Sequence, residues 1–456
     1  MQKIFDEVGS LDKRCYDEYF LSEDILMEHA AEGMANFIFG RFKRGASVIV
    51  VCGSGNNGAD GIALARLLHN KYDVSIFYAK EPKSPMAVLQ QKRANAIGVR
   101  VAGDISECDV LLDAVVGTGF RGEFDAKISK IIKQMNTIES YKIACDVPSG
   151  YCFYADTTLT MGGLKKDFYL DSHKECMGDI EVVDLGISRE IYESGKSTSW
   201  YLLDFEDMKL PYRVKKDSHK GSFGHLALAC GEKVGASVLS AKAALRFGSG
   251  LVTLVGFENV NIPYTIMYSH ILPKNTTALC CGMGLGSGFS DIELKKFLDN
   301  ELPLVCDADL FYMSVLKDIL KRQNVVLTPH PKEFTALLRQ SGIADIGVEM
   351  LQKNRFEYIE KFSKKFPHIT VVLKGANVII ANDGEFFINP YGSEVLAKGG
   401  SGDILSGLIG ALLSQGYNPL EAAKTASLAH AKLGNNYTGV DFSLIPDDLI
   451  EGISKL

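Results

Sequence analysis

Short apolar runs alternate with amphipathic stretches in the first part of the chain. From residue 47 onward the successive segments are SVIVVC, GIALARLLHN, DVSIFYA, AVLQQKRANAIG, DVLLDAVVG, ISKIIKQM and KIACDVP. Brief, almost continuous apolar runs are typical of strands buried on both faces, and the stretches between them have helical periodicity. The pattern therefore predicts a parallel β-sheet covered by α-helices.

A more polar region separates this pattern from a second one. Residues 157–212 contain TLTM and IEVVDLG, which we expect to be edge strands, and then a polar segment that ends around Pro211. The alternation begins again at GHLALACGE and continues to a helical C-terminal region. The two halves do not repeat one another, so the sequence predicts two different α/β domains, residues 1–210 and residues 211–456.

Composition and charge narrow the class of protein. A chain of 456 residues, 46% hydrophobic and 23% charged, is long enough for two globular domains. The net charge of -7 argues against a nucleic-acid partner, and no run of 18 apolar residues or N-terminal signal core predicts contact with a membrane. The ten cysteines show no C-x-x-C spacing, which argues against zinc and redox motifs. We expect a cytoplasmic protein.

A glycine-rich turn in the first half joins a predicted strand to a predicted helix. In VIVVCGSGNNGADG, the residues Gly53, Gly55 and Gly58 match G-x-G-x-x-G, whose backbone N–H groups can hold a pyrophosphate. A simple strand-to-helix turn is the alternative, and the next strand lacks the closing acid of a classical dehydrogenase. The turn also carries carboxamide and carboxylate groups that a phosphate cradle does not need, on Asn56, Asn57 and Asp60.

Two later strand ends add further polar groups. DVLLDAVVGTG leaves Asp113 at one carboxyl end, and KIACDVPSG leaves Asp146 and Ser149 at another. Ligands of open α/β sheets bind at these ends. Oxygens from Asn57, Asp113 and Ser149 suit a hard cation such as potassium, and Asp146 can act as an acid or base. Each aspartate alone could instead cap a turn.

The first half resembles the NAD(P)H-hydrate epimerase family over roughly residues 1–200. The resemblance rests on LDKRCYDEYF, ILMEHAAEGMA, GNNGADG, DAVVGTG and DVPSG. It implies a Rossmann-like three-layer sandwich, a potassium site at Asn57, Asp113 and Ser149, and Asp146 as catalytic residue. The implied substrate contacts are Asn56, Asn57, Gly58, Ala59, Asp60, Gly117, Thr118, Gly119, Phe120, Arg121, Gly122, Glu123 and Asp146. Ala59 replaces a glycine of the family pattern, and its methyl group could narrow the pocket.

The second half contains a glycine loop before an apolar helix, in VLAKGGSGDILSG. Glycines at 399, 400 and 402 allow backbone N–H groups to approach a phosphate, and the helix that follows directs its positive end at the same place. Asp403 beside this loop can take a proton from a substrate hydroxyl. A turn before a core helix is the alternative interpretation.

Three further segments accompany this loop, and together they resemble the ADP- or ATP-dependent NAD(P)H-hydrate dehydratase family over about residues 215–456. They are ALCCGMGLGSG, VLTPHPKEFTALL and LKGANVII. The resemblance implies a ribokinase-like α/β domain, with ADP or ATP as phosphoryl donor together with magnesium. Implied contacts with the hydrate are Ala236, Gly284, His330 and the catalytic Asp403, and those with the nucleotide are Lys374, Gly375, Ala376, Asn377, Val378 and Gly402. Lys332 departs from the family glycine.

The order of the two resemblances matches the bifunctional nicotinamide nucleotide repair family. Its members would interconvert the two epimers of NAD(P)H hydrate and dehydrate one of them, and we expect a homo-oligomer. One alternative is a small-molecule kinase that leaves the phosphate on its product. Another is a non-catalytic scaffold in the first half, as epimerase-like domains form in RNA-decapping assemblies, although a scaffold would not need Asp146.

Overall fold

The computed structural model describes residues 1–256, 260–286 and 288–456. Its contacts divide the chain into two compact units, residues 3–198 and residues 199–456 together with residues 1–2. Within the described ranges, no helix combines the length and the apolar character needed to cross a membrane.

The first unit is built around a seven-stranded sheet in which every neighbouring pair is parallel. The strand order is β4-β3-β2-β5-β6-β7-β9, and the short strands β1 and β8 pair in parallel with each other. The elements are β1 (Gln2–Phe5), α1 (Gly9–Glu18), α2 (Glu23–Arg41), β2 (Ser47–Cys52), α3 (Asn56–Leu68), β3 (Asp73–Tyr78), α4 (Pro85–Ala96), β4 (Arg100–Val101), β5 (Val110–Ala114), α5 (Ala126–Thr137), β6 (Tyr141–Cys145), β7 (Thr157–Met161), β8 (Leu164–Lys165), α6 (Lys174–Met177), β9 (Asp179–Val183) and α7 (Arg189–Ser194).

Side chains that alternate along β2 pack on opposite faces of this sheet. Val48 and Val50 join an apolar cluster with residues of α2 and α3, whereas Ile49 and Val51 join a second cluster with residues of α5. Helices therefore cover both faces, and the predicted three-layer sandwich is confirmed.

The segment TLTM forms an inner strand, so its predicted place at the sheet edge is wrong. Strand β7 lies between β6 and β9, and all five of its residues are buried. Its threonine hydroxyls are hydrogen-bonded there; for example, Thr158 Oγ1 donates to the carbonyl of Met177 at 2.6 Å. A polar strand can lie inside a sheet when its hydroxyls find partners. The IEVVDLG segment supplies β9, which is the edge strand as expected.

The second unit contains a mixed sheet in the order β13-β12-β11-β14-β15-β16-β17-β18-β19-β10. Strands β11 to β17 pair in parallel, and β18 pairs antiparallel with both β17 and β19. The elements are β10 (Trp200–Leu202), β11 (His225–Ala229), α8 (Val234–Arg246), β12 (Leu251–Val255), β13 (Met267–Ser269), β14 (Ala278–Cys281), α9 (Asp291–Phe297), β15 (Leu304–Cys306), α10 (Leu316–Ile319), β16 (Val325–Leu327), α11 (Pro331–Gln340), α12 (Val348–Lys353), α13 (Arg355–Lys365), β17 (Ile369–Leu373), β18 (Val378–Asn382), β19 (Glu385–Asn389), α14 (Ser401–Ser414), α15 (Pro419–Asn435) and α16 (Pro446–Gly452).

One feature of this sheet, the β18–β19 hairpin, lies outside the parallel pattern expected from the sequence. Asp383 and Gly384 both have positive φ, 47° and 75°, and form the tight turn that makes β18 and β19 an antiparallel hairpin. Strand β10 pairs with β19, so Trp200–Leu202 belongs to the second unit, ahead of the predicted domain boundary at residue 210.

Helix α14 runs through the core of the second unit, against α8. A methyl group on Gly407 would lie 2.3 Å from the carbonyl oxygen of Ser240, so this glycine permits the two helices to approach closely. The side chains of Leu408, Ile409 and Leu412 are fully buried in the same core. This packing fixes the helix whose N-terminus carries the glycine loop.

Candidate active sites

The glycine-rich turn after β2 combines close packing with one open position. A methyl group on Gly53 would lie 1.8 Å from the Val115 carbonyl oxygen, and one on Gly58 would lie 2.1 Å from the Gly53 carbonyl oxygen. Gly55, by contrast, has no atom within 4 Å of such a methyl group and caps the N-terminus of α3. Close backbone contacts therefore explain why residues 53 and 58 are glycines. At Gly55, where helix α3 begins, the turn leaves open space.

The polar residues of this turn have different surroundings. The Asn56 side-chain amide donates to Glu23 Oε1 at 2.6 Å, whereas Asn57 lies against the next strand end, close to Gly117. Ala59 is fully buried in an apolar cluster with Met27 and Ala87. Its methyl group therefore packs against apolar side chains, and its effect on the pocket stays a prediction.

Asp113 and Ser149 form a buried hydrogen-bonded pair. Ser149 donates its hydroxyl to Asp113 Oδ1 and its backbone N–H to Asp113 Oδ2, both at 2.7 Å. Both residues are inaccessible to solvent, and burial raises the pKa of the Asp113 carboxyl to about 6. The Ser149 hydroxyl also accepts the Val116 N–H at 3.0 Å, next to the Gly117 that contacts Asn57. The structure thus brings Asn57, Asp113 and Ser149 into one neighbourhood.

The oxygens of this neighbourhood fit a hard cation. Among the residues that the structure describes, the side-chain nitrogen of Asn57 is buried without a hydrogen-bond partner. An amide oxygen has the same shape as the nitrogen and can occupy that position, where it would be free to coordinate. Carboxylate, amide and hydroxyl oxygens are ligands of hard cations.

The loop after β5 is held largely by its own contacts. The Arg121 guanidinium donates to the carbonyls of Thr118 and Phe120 at 2.7 and 2.8 Å, and the ring of Phe120 stacks on Phe124 with 4.4 Å between centroids. Gly122 has a φ of 94°, which favours glycine. Gly119 and Glu123 are exposed in the same loop.

Asp146 has an unusual backbone conformation at the end of β6. Its φ of 65° lies in the left-handed region, and its N–H donates to the Leu159 carbonyl at 2.8 Å. Its Oδ1 accepts from Lys165 Nζ at 2.6 Å, and from Thr160 Oγ1 and Met161 N at 3.2 Å each. Strained backbone of this kind concentrates at functional sites. Sequence reasoning found Asp146 but missed Lys165, which follows the strand that it expected at the sheet edge.

Two more carboxyl groups are electrostatically coupled to Asp146. Loss of hydration raises the pKa of Asp60 well above its usual value, and the negative charge of Asp146 raises it further. Burial also raises the pKa of Asp12, although a hydrogen bond from the Tyr192 hydroxyl at 2.7 Å opposes this effect. The site therefore combines several carboxyls with one buried ammonium group, an arrangement suited to proton transfer.

The glycine loop of the second unit begins helix α14. Gly400 has a φ of 93°, and a methyl group there would lie 2.7 Å from Pro446. A methyl group on Gly399 would meet no atom within 4 Å, and one on Gly402 would lie 3.4 Å from Lys374 Nζ. The start of the helix is thus open to a ligand and has an ammonium group beside it.

A buried aspartate holds this ammonium group. Asp307, only 2% exposed, accepts Lys374 Nζ on Oδ1 at 2.8 Å and the Ser406 hydroxyl on Oδ2 at 2.7 Å. The sequence predicted Lys374 as a nucleotide contact, but Asp307 was missed. The segment PLVCDADL, which ends a buried strand with an aspartate, could have indicated it.

Asp403 lies in the first turn of α14, near this pair. Burial raises the pKa of its carboxyl to about 6, the charge of Asp307 adds to the shift, and the Lys374 ammonium opposes it. A carboxyl with such a pKa is ionised at neutral pH and yet remains able to accept a proton.

His330 forms capping hydrogen bonds at the N-terminus of α11. Its Nδ1 accepts the N–H groups of Lys332 and Glu333 at 3.1 and 3.3 Å, while Glu333 Oε2 accepts the N–H of His330 at 2.7 Å. This reciprocal cap requires a neutral ring, and burial lowers the pKa of His330 accordingly. The exposed Lys332 belongs to this cap, so its departure from the family pattern lies at a helix start.

The remaining predicted contacts cluster around strand ends of the second unit. Gly284, with a φ of 63°, lies close to Ala236, since a methyl group on it would be 3.1 Å from the Ala236 Cβ. Lys374 to Asn377 connect β17 to β18, Val378 begins β18, and Asn377 is buried whereas Ala376 is exposed.

Comparison with known proteins relates both units to one family. Residues 226–455 match the family model described as NAD(P)H-hydrate dehydratase, and residues 23–166 match that described as YjeF-related protein N-terminus. The bifunctional NAD(P)H-hydrate repair enzyme Nnr of Helicobacter pylori is 41% identical, with 100% of each chain covered, and that of Coxiella burnetii is 31% identical over 96% of this chain and 95% of the relative.

A solved structure matches the second half. The ADP/ATP-dependent NAD(P)H-hydrate dehydratase of Bacillus subtilis, co-crystallised with ATP and Mg²⁺, is 28% identical with a TM-score of 0.46, over 53% of this chain and 92% of that one. The family assignment rests on the relatives that match the whole chain and on the two family models, which match in the predicted order. The chain therefore belongs to the family of bifunctional NAD(P)H-hydrate repair enzymes.

Proposed function

We propose that the two units repair hydrated nicotinamide nucleotides in successive steps. The first unit interconverts the R and S epimers of NAD(P)H hydrate, and the second dehydrates the S form at the expense of ADP or ATP. Membership of the bifunctional family supports both activities, and the arrangement around Asp146 and Asp403 supports the assignment of one catalytic carboxylate to each unit.

In the first unit, Asp146 moves a proton at the hydrate ring. Its Oδ1 is held by three donors, and burial raises the pKa of the neighbouring Asp60 carboxyl well above its usual value. Asn57, Asp113 and Ser149 would hold a potassium ion, which supplies positive charge near the substrate. The segment from Gly117 to Glu123 and the turn from Asn56 to Asp60 surround the same strand ends and would contact the substrate.

In the second unit, Asp403 takes the proton from the hydroxyl of the hydrate as that oxygen bonds to the transferred phosphoryl group. The bond between this phosphorus and the nucleotide breaks, and the N–H groups at the start of α14 stabilise the negative charge. Phosphate then leaves the ring with the bonding electron pair, and the ring loses a proton to give NADH or NADPH. Ala236, Gly284 and His330 would contact the hydrate.

In this proposal the nucleotide also binds beside the glycine loop, next to the hydrate. Lys374 and Gly402 would contact its phosphates, and the segment Gly375–Val378 would contact the rest of it, with magnesium offsetting the phosphate charge. The observation that carries the dehydratase proposal is the open start of α14 between two groups, the Asp403 carboxylate and the Lys374 ammonium that Asp307 holds.

One incubation tests both activities. The protein is mixed with both hydrate epimers and with either ADP or ATP, and the return of reduced-nicotinamide absorbance is followed together with inorganic phosphate. We expect complete repair with one phosphate released per NAD(P)H formed. Accumulation of a phosphorylated product without NAD(P)H would instead indicate a small-molecule kinase.

A further inference from the structure

A buried ion pair lies at the centre of the first unit's site. Lys165 Nζ is 2.6 Å from Asp146 Oδ1, and the two side chains are only 5% and 15% exposed. A buried pair of this kind is weak evidence for stability, because apolar residues of similar size often stabilise a fold as well or better. Its position beside the proposed base suggests a role in the reaction instead.

The hydrogen bonds of the Asp146 carboxylate are unequal. Oδ1 accepts three donors, from Lys165, Thr160 and Met161, and the described part of the chain supplies no donor to Oδ2. Three donors occupy the lone pairs of Oδ1 and fix the plane of the carboxylate. Oδ2 is therefore the oxygen available to take a proton from a substrate.

Lys165 is itself held in place by its neighbours. Its ammonium donates to Thr160 Oγ1 at 2.6 Å, and this hydroxyl in turn donates to Asp146 Oδ1, so the threonine bridges the pair. The ammonium also lies 5.3 Å from the centre of the Phe168 ring. Strands β7 and β8 thus deliver the lysine and the threonine to the carboxylate that follows β6.

Several acidic groups among the described residues also interact with the charge of Asp146. Those that feel its charge come from α1, α3, β6, the turn after β6 and α7; they are Asp12, Asp60, Cys145, Tyr151 and Tyr192. Lys165 places a positive charge in direct contact with the Asp146 carboxylate, within this acidic surrounding.

We propose that Lys165 is a positioning residue for the epimerase reaction, which holds the Asp146 carboxylate in one orientation so that Oδ2 faces the substrate. This inference rests on the proposed function, in which Asp146 moves the proton. It assigns Lys165 no contact with the reacting atoms.

The test uses full-length variants in the repair of mixed hydrate epimers. Lys165→Met retains the length of the side chain and removes its charge, and Lys166→Met is the matched control, since Lys166 pairs with Asp6 instead. Excess Asp146→Asn protein supplies dehydratase activity in every reaction, so the slow phase reports the epimerase step of the variant. Spontaneous epimerisation, measured without the variant, is subtracted.

We expect Lys165→Met to slow the second phase about 10-fold or more at neutral pH, with little change in KM. Lys165→Arg, which restores a positively charged donor, should recover part of this rate. Lys166→Met should keep the wild-type slow phase. A structural role alone would lower the melting temperature without lowering the rate of the folded protein.

Two results would overturn the proposal. The first is a folded Lys165→Met protein with the wild-type slow phase. If Lys165→Met does not fold, Lys165→Gln decides, because it keeps a polar side chain and removes the charge; a wild-type slow phase in that variant would also overturn the inference. Failure of the proposed function gives a different result, namely full epimerase activity in Asp146→Asn itself.

Discussion

Replacement of Asp403 by asparagine should stabilise the second unit and strongly slow dehydration. The pKa of Asp403 is raised from 3.8 to about 6, chiefly by burial and next by the charge of Asp307. The folded protein therefore holds this proton more tightly than the unfolded chain does. Below pH 3.8 the carboxyl is protonated in both states; stability falls as the pH rises from 3.8 to about 6, and the full cost of the ionised group applies above that.

The size of the effect follows from the shift. A pKa difference of about 2 units corresponds to roughly 3 kcal/mol, at 1.36 kcal/mol per unit. Asparagine leaves a polar group in the same place, so we expect Asp403→Asn to raise the free energy of unfolding by about 1 to 3 kcal/mol at pH 8 and by almost nothing at pH 4. Loss of the base should reduce the dehydration rate about 100- to 10,000-fold, with the epimerase step intact.

The fluorescence of Trp200 provides the stability assay. This residue is the single tryptophan of the chain, it is 4% exposed in β10 of the second unit, and it stacks on Phe386 with 4.4 Å between ring centroids. Urea unfolding followed by this signal at pH 4 and pH 8 gives both free energies, and Asp441→Asn controls for the loss of one exposed carboxylate. An Asp403→Asn protein with unchanged stability at pH 8, or with a near-normal dehydration rate, would refute the reasoning.

Three further predictions concern the division of labour and the bound ions. Asp146→Asn should leave the fast phase of mixed-hydrate repair intact and slow the second phase to the spontaneous rate; single-phase repair, where spontaneous epimerisation is slow, would remove this assignment. Asp113→Ala should weaken potassium binding, because the cation loses its charged ligand, and a water-filled position in an anomalous-scattering map of a potassium-rich wild-type crystal would contradict the site. Lys374→Met should raise the KM for the nucleotide and leave Asp307 buried without its counter-ion, lowering the melting temperature; an unchanged KM would separate Lys374 from the phosphates.

The sequence by itself determined the fold class, the order of the two units and the aspartates to which we assign catalysis and cation binding. Buried parallel strands are nearly continuous apolar runs, so β2, β5 and β6 could be predicted from SVIVVC, DVLLDA and KIAC. Ligand sites lie where such strands end; Asp113 lies at the end of β5, Asp146 follows β6, and Asp403 lies in the first turn of a helix after a glycine loop. Local patterns suffice for features of this kind, because periodicity and turn residues are themselves local.

The tertiary structure decided which side chains meet. Strand β7 has a polar sequence and lies inside the sheet because Thr158 and Thr160 find hydrogen-bond partners there, which no pattern along the chain reveals. Lys165 reaches Asp146 across 19 residues, and Asp307 reaches Lys374 across 67. Each pair joins the ends of different strands. The order of the strands in the sheet therefore decides which carboxylate meets which ammonium group. That order depends on long-range packing, so it was fixed only when the chain folded.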